Sequence, residues 1–271
     1  MAVTLEGGCR VSHMHDGDPF VAGTLRVWPQ IGRATAAQAV SLSVMEFQNG
    51  RSPSIRNDDC DQVLYLLNPD SESTGDNRHE VSTTRDSGWV KLFIDGQAFE
   101  IGPDTGIYIR PSQTFSVNNS GLGSVTIISS KCPDPDREPQ FADADTTAPR
   151  LSRPDFAPTI RLADQKAQPT ADRWYRVLID ERVGSTQVTQ FVGSIPRGRA
   201  PDHFHDYEEV LFILKGEGRM WAGQTNTPIS RGSCIYLPKG QIHCVENTGE
   251  GELRLLGVFY PAGSPSVRYE A

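Results

Sequence analysis

The chain has 271 residues, of which 37% are hydrophobic, 25 are Gly and 19 are Pro, and this composition favours short strands joined by turns over long helices. The net charge of −8 argues against nucleic-acid binding, and no segment approaches the roughly 20 apolar residues of a membrane span. Five scattered cysteines do not form a disulfide framework, and no signal peptide is evident, so we expect a cytoplasmic protein. The length suits two domains.

Residues 1–36 show no clear hydrophobic periodicity, and we assign them to an N-terminal arm. Two alternatives remain open for this arm. It adds a strand to a neighbouring barrel or to a dimer partner, or it is an unstructured tail. The arm contains His13 and His15, but no glutamate follows them at a spacing that would complete a metal site. We therefore interpret this pair as part of a polar segment.

Residues 37–132 form the first β-rich region. Its clearest strand signals are two apolar runs, Asp61–Leu67 and Ile107–Ile109. Residues 133–172 then change composition and become rich in Pro, Asp, Ala and Thr. We interpret them as an ordered or semi-ordered connector to a second region, residues 173–271.

The second region carries the most informative pattern in the chain. His203 and His205 are two residues apart, so on an extended strand both side chains leave the same face. Glu209 follows with the same parity, and the turn sequence Pro238–Gly240 returns the chain toward these residues with His243. Three imidazoles and one carboxylate are a ligand set for a single divalent metal ion.

Both halves of this pattern resemble the two motifs of the cupin superfamily. Residues 198–216 fit the first motif, although four residues rather than five separate Gly198 from His203, and residues 232–247 fit the second. The resemblance implies an all-β jelly-roll barrel with His203, His205, Glu209 and His243 holding a metal inside its mouth. It does not select a reaction, because cupins include oxygenases, decarboxylases, isomerases, lyases, hydrolases and non-catalytic binders.

The first region repeats the second. The run Asp61–Leu67 mirrors residues 208–214, and residues 107–109 mirror residues 235–237. At the ligand positions Gln62 replaces the glutamate and Phe115 replaces the last histidine, while residues 55–58 replace the paired histidines. We therefore predict a bicupin, two tandem jelly-roll barrels, with a degenerate, metal-free barrel at residues 37–132 and a metal-binding barrel at residues 173–271.

The expected cofactor is one divalent metal ion. Iron or manganese is favoured by the resemblance, and Ni, Cu, Co and Zn also suit the ligand set. Tyr207 shares the inward parity of Glu209 and is the candidate catalytic residue, whereas Glu208 should point outward as a solvated or interface carboxylate. Further side chains could line the pocket, depending on strand bulges: Arg219, Trp221, Tyr236 and Tyr260.

Three functions remain as hypotheses. The first is an Fe(II)- or Mn(II)-dependent dioxygenase acting on a small organic substrate, which the absence of an obvious general base favours slightly. The second is a redox-neutral isomerase, decarboxylase, lyase or hydrolase that uses the metal as a Lewis acid. The third is a non-catalytic small-molecule binder. The expected partner is a small-molecule substrate, and we expect binding to neither nucleic acid nor membranes. A homodimer is plausible because barrel edges are often covered by a second chain.

Overall fold

The computed structural model describes residues 1–69, 88–142, 156–170 and 172–266, and the backbone of residues 269–270. These residues form strands joined by turns and by short 3₁₀ turns at Glu6–Gly8, Arg33–Thr35, Leu162–Asp164 and Glu181–Val183. The all-β prediction with two jelly-roll barrels is confirmed. In the described parts of the chain no helix is long and apolar enough to cross a bilayer.

The strands up to the connector are numbered in chain order as β1 (Val3–Thr4), β2 (Arg10–His13), β3 (Phe20–Ala22), β4 (Leu25–Ile31), β5 (Leu42–Phe47), β6 (Gly50–Arg51), β7 (Ser54–Arg56), β8 (Asp61–Leu66), β9 (Val90–Ile94), β10 (Gln97–Ile101), β11 (Thr105–Ile109), β12 (Thr114–Asn119), β13 (Val125–Cys132), β14 (Gln140–Ala142) and β15 (Thr159–Arg161). The remaining strands are β16 (Gln168–Thr170), β17 (Arg173–Ile179), β18 (Thr189–Ile195), β19 (Gly198–Arg199), β20 (His203–Phe204), β21 (Glu208–Lys215), β22 (Glu217–Ala222), β23 (Thr225–Ser230), β24 (Ser233–Leu237), β25 (His243–Asn247), β26 (Leu253–Tyr260) and β27 (Tyr269–Glu270).

Each barrel consists of one large and one small antiparallel sheet. In the N-terminal barrel the large sheet has the order β15-β11-β8-β13-β5-β4-β3, and the small sheet has the order β10-β9-β12-β7-β14 with β6 beside β12. In the C-terminal barrel the large sheet is β1-β2-β24-β21-β26-β18-β17-β16, and the small sheet is β23-β22-β25-β20-β27 with β19 beside β25. The two barrels therefore share one strand plan, as expected for an internal duplication.

Two segments extend the large sheets. The N-terminal strand β2 pairs with β24, so the start of the chain belongs to the C-terminal barrel. It does not form a separate tail. Strand β15, from the connector, covers the matching edge of the N-terminal barrel at β11. Strand β4 lies within residues 1–36, the range predicted as the arm, but it pairs with β5 and is part of the N-terminal barrel. The domain limits at residues 36, 132 and 172 stay a prediction, and residues 143–155 and 171 of the connector lie outside the described residues.

The two large sheets pack face to face between the barrels. Their shared core combines Val63, Tyr65 and Tyr108 of the N-terminal barrel with Val210 and Phe212 of the C-terminal barrel. Because alternate residues on a strand point to opposite faces, the neighbours of Val210 and Phe212 point into their own barrel. Both faces of β21 are therefore covered, which explains its nearly continuous apolar sequence.

Candidate metal centre

Three histidines converge at the mouth of the C-terminal barrel. Strand β20 runs antiparallel to β25, and His203 is the register partner of His243. His205 lies two residues beyond His203, and its ring reaches the same centre. The ring centroids are 4.5 Å apart for His203 and His243, 5.0 Å for His203 and His205, and 5.3 Å for His205 and His243. One nitrogen from each ring lies within 4.8 Å of the other two, which is an arrangement that could hold a metal ion.

Glu209 adjoins this cluster from the large sheet. It lies on β21, and one carboxylate oxygen is 3.6 Å from Nε2 of His205. The side chain is buried, as are the rings of His205 and His243. The tight cluster itself contains the three imidazoles, so Glu209 is a neighbour of the cluster through His205.

Backbone carbonyls orient two of the rings. Nδ1 of His243 is 2.8 Å from the carbonyl oxygen of Gln241, and Nδ1 of His203 is 3.0 Å from that of Pro201. A carbonyl oxygen only accepts hydrogen bonds, so in both rings Nδ1 carries the proton and Nε2 keeps its lone pair. This is the usual arrangement by which a second contact fixes a metal-binding histidine.

The turn before His243 also holds His205. The N–H of Gly240 donates to the carbonyl oxygen of His205 over 2.8 Å. Gly240 has a φ of +75°, in the left-handed region that glycine adopts without strain. The turn sequence thus links the two histidine-bearing segments directly.

Burial sets the charge states around the cluster. It lowers the pKa of His243 to about 3, with a further contribution from the nearby His203, so this ring is neutral at physiological pH. Neutral imidazole is the form that binds metal ions. Burial also raises the pKa of Glu209 to about 8.

The cluster opens into a small, mostly apolar cavity of about 120 Å³. Its walls include the apolar side chains Phe191, Ile195, Leu211, Val245 and Leu255. Arg173 and Tyr175 from β17 also line it, and sequence reasoning missed both. They follow the connector and lie outside both motifs, so only the inward alternation of a correctly placed β17 could have identified them.

Tyr207 lies beside the cluster and contributes no surface to the described cavity. Its ring stacks on His205 at a centroid distance of 4.8 Å and on Phe259 at 4.5 Å. A catalytic role for Tyr207 stays a prediction, and its contacts suit the positioning of His205. The described cavity lining also lacks the other four side chains considered above: Arg219, Trp221, Tyr236 and Tyr260.

Glu208 points away from the cluster, as strand parity predicts. It is buried between the barrels, where its carboxylate accepts hydrogen bonds from the N–H groups of Gln38 and Ala39 and from the hydroxyl of Tyr236. Adjacent residues of β21 thus serve two purposes. Glu209 faces the histidines, and Glu208 fixes the contact with the other barrel.

Comparison with known proteins identifies the family. The cupin domain family model matches residues 191–259, which include the three histidines and Glu209. An uncharacterized protein of Aquifex aeolicus is 31% identical over 108 residues, which represent 34% of this chain and 88% of that protein. The chain belongs to the cupin superfamily.

Two further matches are one relative in sequence and one solved structure. The oxalate-binding protein of Thermotoga maritima is 37% identical over 57 residues, or 21% of this chain, and the match spans only 47% of that protein. The structure of a deletion mutant of Bacillus subtilis oxalate decarboxylase superposes with a TM-score of 0.70 at 13% identity, covering 93% of this chain and 76% of that chain. Agreement over both barrels shows that the chain has the bicupin fold.

Strand register confirms how the two cupin barrels correspond. Gln62 pairs with Ile109 across β8 and β11, as Glu209 pairs with Leu237 across β21 and β24. The sequence repeat predicts that Gln62 corresponds to Glu209, and the strand register agrees with this prediction.

The histidine positions are also replaced in the N-terminal barrel. Ile55 pairs with Phe115 at the place where His203 pairs with His243. Neither an isoleucine nor a phenylalanine side chain can bind a metal ion. Among the described residues, the three-histidine cluster is the group of potential metal ligands that comes together.

Proposed function

We propose that this bicupin is a metal-dependent enzyme that acts on a small organic anion in its C-terminal barrel. His203, His205, His243 and Glu209 would hold one divalent cation. The observation that carries the proposal is the convergence of three buried or half-buried imidazoles beside a buried carboxylate, with two rings already oriented by backbone carbonyls. Packing three imidazoles together without a metal ion or another polar partner would cost free energy, because polar groups would be buried without compensating interactions.

The donor set fits a divalent transition metal. Nitrogen and oxygen donors suit Mn(II) and Fe(II), and the described cavity lining contains no cysteine that would favour softer ions. Three neutral imidazoles and one carboxylate leave a net positive centre when a divalent ion is bound. Such an ion supplies Lewis-acid chemistry, and its remaining positive charge attracts an anionic ligand.

The cavity supports a small carboxylate as the substrate class. Arg173 brings a guanidinium group to the lining, and guanidinium groups match the geometry of carboxylates. The apolar walls and the volume of about 120 Å³ suit a compact molecule. The names of two matched proteins, an oxalate-binding protein and an oxalate decarboxylase, point to the same chemical class.

The reaction we favour is a redox-neutral cleavage or rearrangement of this carboxylate, for which decarboxylation is the nearest example among the matched proteins. Such a reaction needs a proton donor near the substrate. Tyr175 lines the cavity, and its hydroxyl donates to the side-chain oxygen of Gln168 over 2.9 Å. In our scheme Arg173 orients the substrate. The bond to the departing carboxylate breaks with release of carbon dioxide, the carbon that keeps the electron pair takes the proton of the Tyr175 hydroxyl, and solvent water restores that proton.

An oxygenase is the second candidate. One observation favours it, since Glu209 is the only carboxylate in the described lining and no lysine accompanies it. An oxygenase relies less on a strong side-chain base than an isomerase or a lyase does. The cavity is compatible with either reaction.

The test is an assay of the metal-loaded protein with oxalate, malonate, glyoxylate and pyruvate, in which substrate loss and dioxygen uptake are measured together. Substrate loss without stoichiometric dioxygen uptake supports the redox-neutral reaction, and equimolar uptake supports the oxygenase. Arg173→Gln should raise KM roughly tenfold or more through the lost charged hydrogen bond. The matched control is Arg197→Gln, because Arg197 is exposed and pairs only with Glu250 among the described residues. If the loaded protein neither converts nor binds any of these anions, the proposal fails.

A further inference from the structure

The N-terminal barrel contains a cavity that is larger than the one at the histidine cluster. Its volume is about 370 Å³. Inward-facing residues of β4, β5, β8 and β13 line it, among them Val27, Met45, Gln62 and Ser129. Gln62 is the register counterpart of Glu209, so this cavity occupies the place that the metal centre has in the other barrel.

Two polar side chains of the cavity lining, Gln62 and Ser129, belong to a buried chain of hydrogen bonds that begins at Asn57. The side-chain amide of Asn57 donates to the side-chain oxygen of Gln62, and the Gln62 amide donates to the hydroxyl oxygen of Ser129 over 2.8 Å. All three side chains are at least 97% buried. Because the Ser129 oxygen accepts from Gln62, its own proton remains available to a ligand in the cavity. The position that corresponds to Glu209 thus carries a neutral side chain that forms hydrogen bonds.

Lys131 brings a positive charge to the cavity. On β13 it is the register partner of Gln62, at the position where β26 has Phe259 as the partner of Glu209. It lines the cavity, and its ammonium group forms no ion pair and no hydrogen bond with any described residue. Burial lowers the pKa of Lys131, and the carboxylates of Asp134 and Glu138 oppose this shift.

Two of the nearby charged side chains have contacts of their own. The carboxylate of Asp134 accepts hydrogen bonds from the N–H groups of Arg33 and Asp136, and Arg137 forms an ion pair of 2.6 Å with Asp59. Asp136 and Glu138 also line the cavity, and both are exposed to solvent. Lys131 therefore faces the cavity without a carboxylate in direct contact among the described residues.

We propose that the N-terminal barrel is a second, metal-free binding site for a small organic anion, a monocarboxylate with a compact apolar body. Lys131 pairs with the carboxylate, and the Ser129 hydroxyl donates to it. The apolar body packs against Val27, Met45 and Ile55, which line the remainder of the cavity. This site does not depend on the metal centre, so it stands whether or not the proposed reaction is correct.

The experiment uses the full-length, metal-loaded protein and benzoate as the probe, with binding measured by calorimetry. Benzamide, which has the same shape without the charge, is the matched ligand. We expect saturable benzoate binding that Lys131→Met weakens by roughly tenfold to a hundredfold, the range of a lost charge-assisted hydrogen bond. Lys131→Arg should largely retain it, and benzamide should bind much more weakly.

Two control variants separate this site from others. Lys91→Met removes an exposed lysine from the same barrel, and His203→Ala/His243→Ala removes the metal cluster; the benzoate binding that depends on Lys131 should persist in both. Methionine has nearly the length of lysine, so Lys131→Met should keep or raise the free energy of unfolding. Absence of benzoate binding in the wild type, or equal affinity in Lys131→Met, would overturn the proposal. Loss of binding only in the histidine variant would assign the probe to the metal centre and overturn it as well.

Discussion

His203 and His243 face each other as register partners on antiparallel strands, with their ring centroids 4.5 Å apart. In the N-terminal barrel the same register position is occupied by Ile55 and Phe115. One duplicated strand pair therefore carries metal-binding chemistry in one barrel and apolar packing in the other. The following predictions test the roles that these differences assign.

Glu208 should hold the two barrels together. Glu208→Ala would leave the N–H groups of Gln38 and Ala39 and the hydroxyl of Tyr236 without their acceptor. We expect the free energy of unfolding to fall by about 3 kcal/mol, since several hydrogen bonds to a buried carboxylate are lost. Urea denaturation followed by circular dichroism measures this change. A loss below about 0.5 kcal/mol, the range of surface substitutions, would refute the role.

The N-terminal arm should stabilise the C-terminal barrel. Leu5, Cys9 and Val11 belong to the core of that barrel, and β2 covers the edge of β24. Removal of residues 1–13 should lower the midpoint of thermal unfolding and increase aggregation, because a strand edge and apolar core become exposed. Light scattering during thermal unfolding reports both effects. A truncated protein that melts like the full chain would show that the arm is dispensable.

Gly257 should be essential for the shape of the metal cavity. A Cβ atom at this position would collide with the ring of Phe191, which lines the cavity. We expect Gly257→Ala to cost about 1 to 3 kcal/mol, the usual range for overpacking a core. Gly251→Ala is the matched control, because a Cβ there meets no atom within 4 Å. Equal stabilities of the two variants in urea would contradict this assignment.

Asn119 and Asn247 should contribute equally to their barrels. Each side-chain amide donates to two backbone carbonyls, and each side-chain oxygen accepts from a glycine N–H two residues later. Replacement of either residue by alanine should cost about 2 to 3 kcal/mol, because buried backbone groups lose their partners. Denaturation of both single variants checks this symmetry. An effect in only one barrel would show that the duplicated turns are not energetically equivalent.

The histidine cluster could be predicted from the sequence because it depends on short-range spacing and on one turn. The spacing of His203 and His205 fixes their common face, and a turn before His243 brings the third ring close. The outward direction of Glu208 and the correspondence of Gln62 with Glu209 followed from strand parity and from the repeat. These features require only the alternation of a strand and the position of a turn.

Other features depend on which strands are neighbours. Lys131 faces Gln62, and Arg173 reaches the cavity, only because β13 and β17 occupy particular places in their sheets. The sequence also left the destination of the N-terminal arm open, since pairing between β2 and β24 joins residues at least 220 positions apart. Parity placed Tyr207 on the inner face, but its stacking between His205 and Phe259 could not be read from spacing.

The central claim is that one metal ion binds in the C-terminal barrel and none in the N-terminal barrel. The most direct measurement is the metal content of protein loaded anaerobically with Mn(II) or Fe(II) and then desalted. The wild type and Phe115→Leu should retain about one equivalent per chain, and His203→Ala/His243→Ala should retain almost none. A wild type that retains no metal, or a double variant that keeps a full equivalent, would contradict the account.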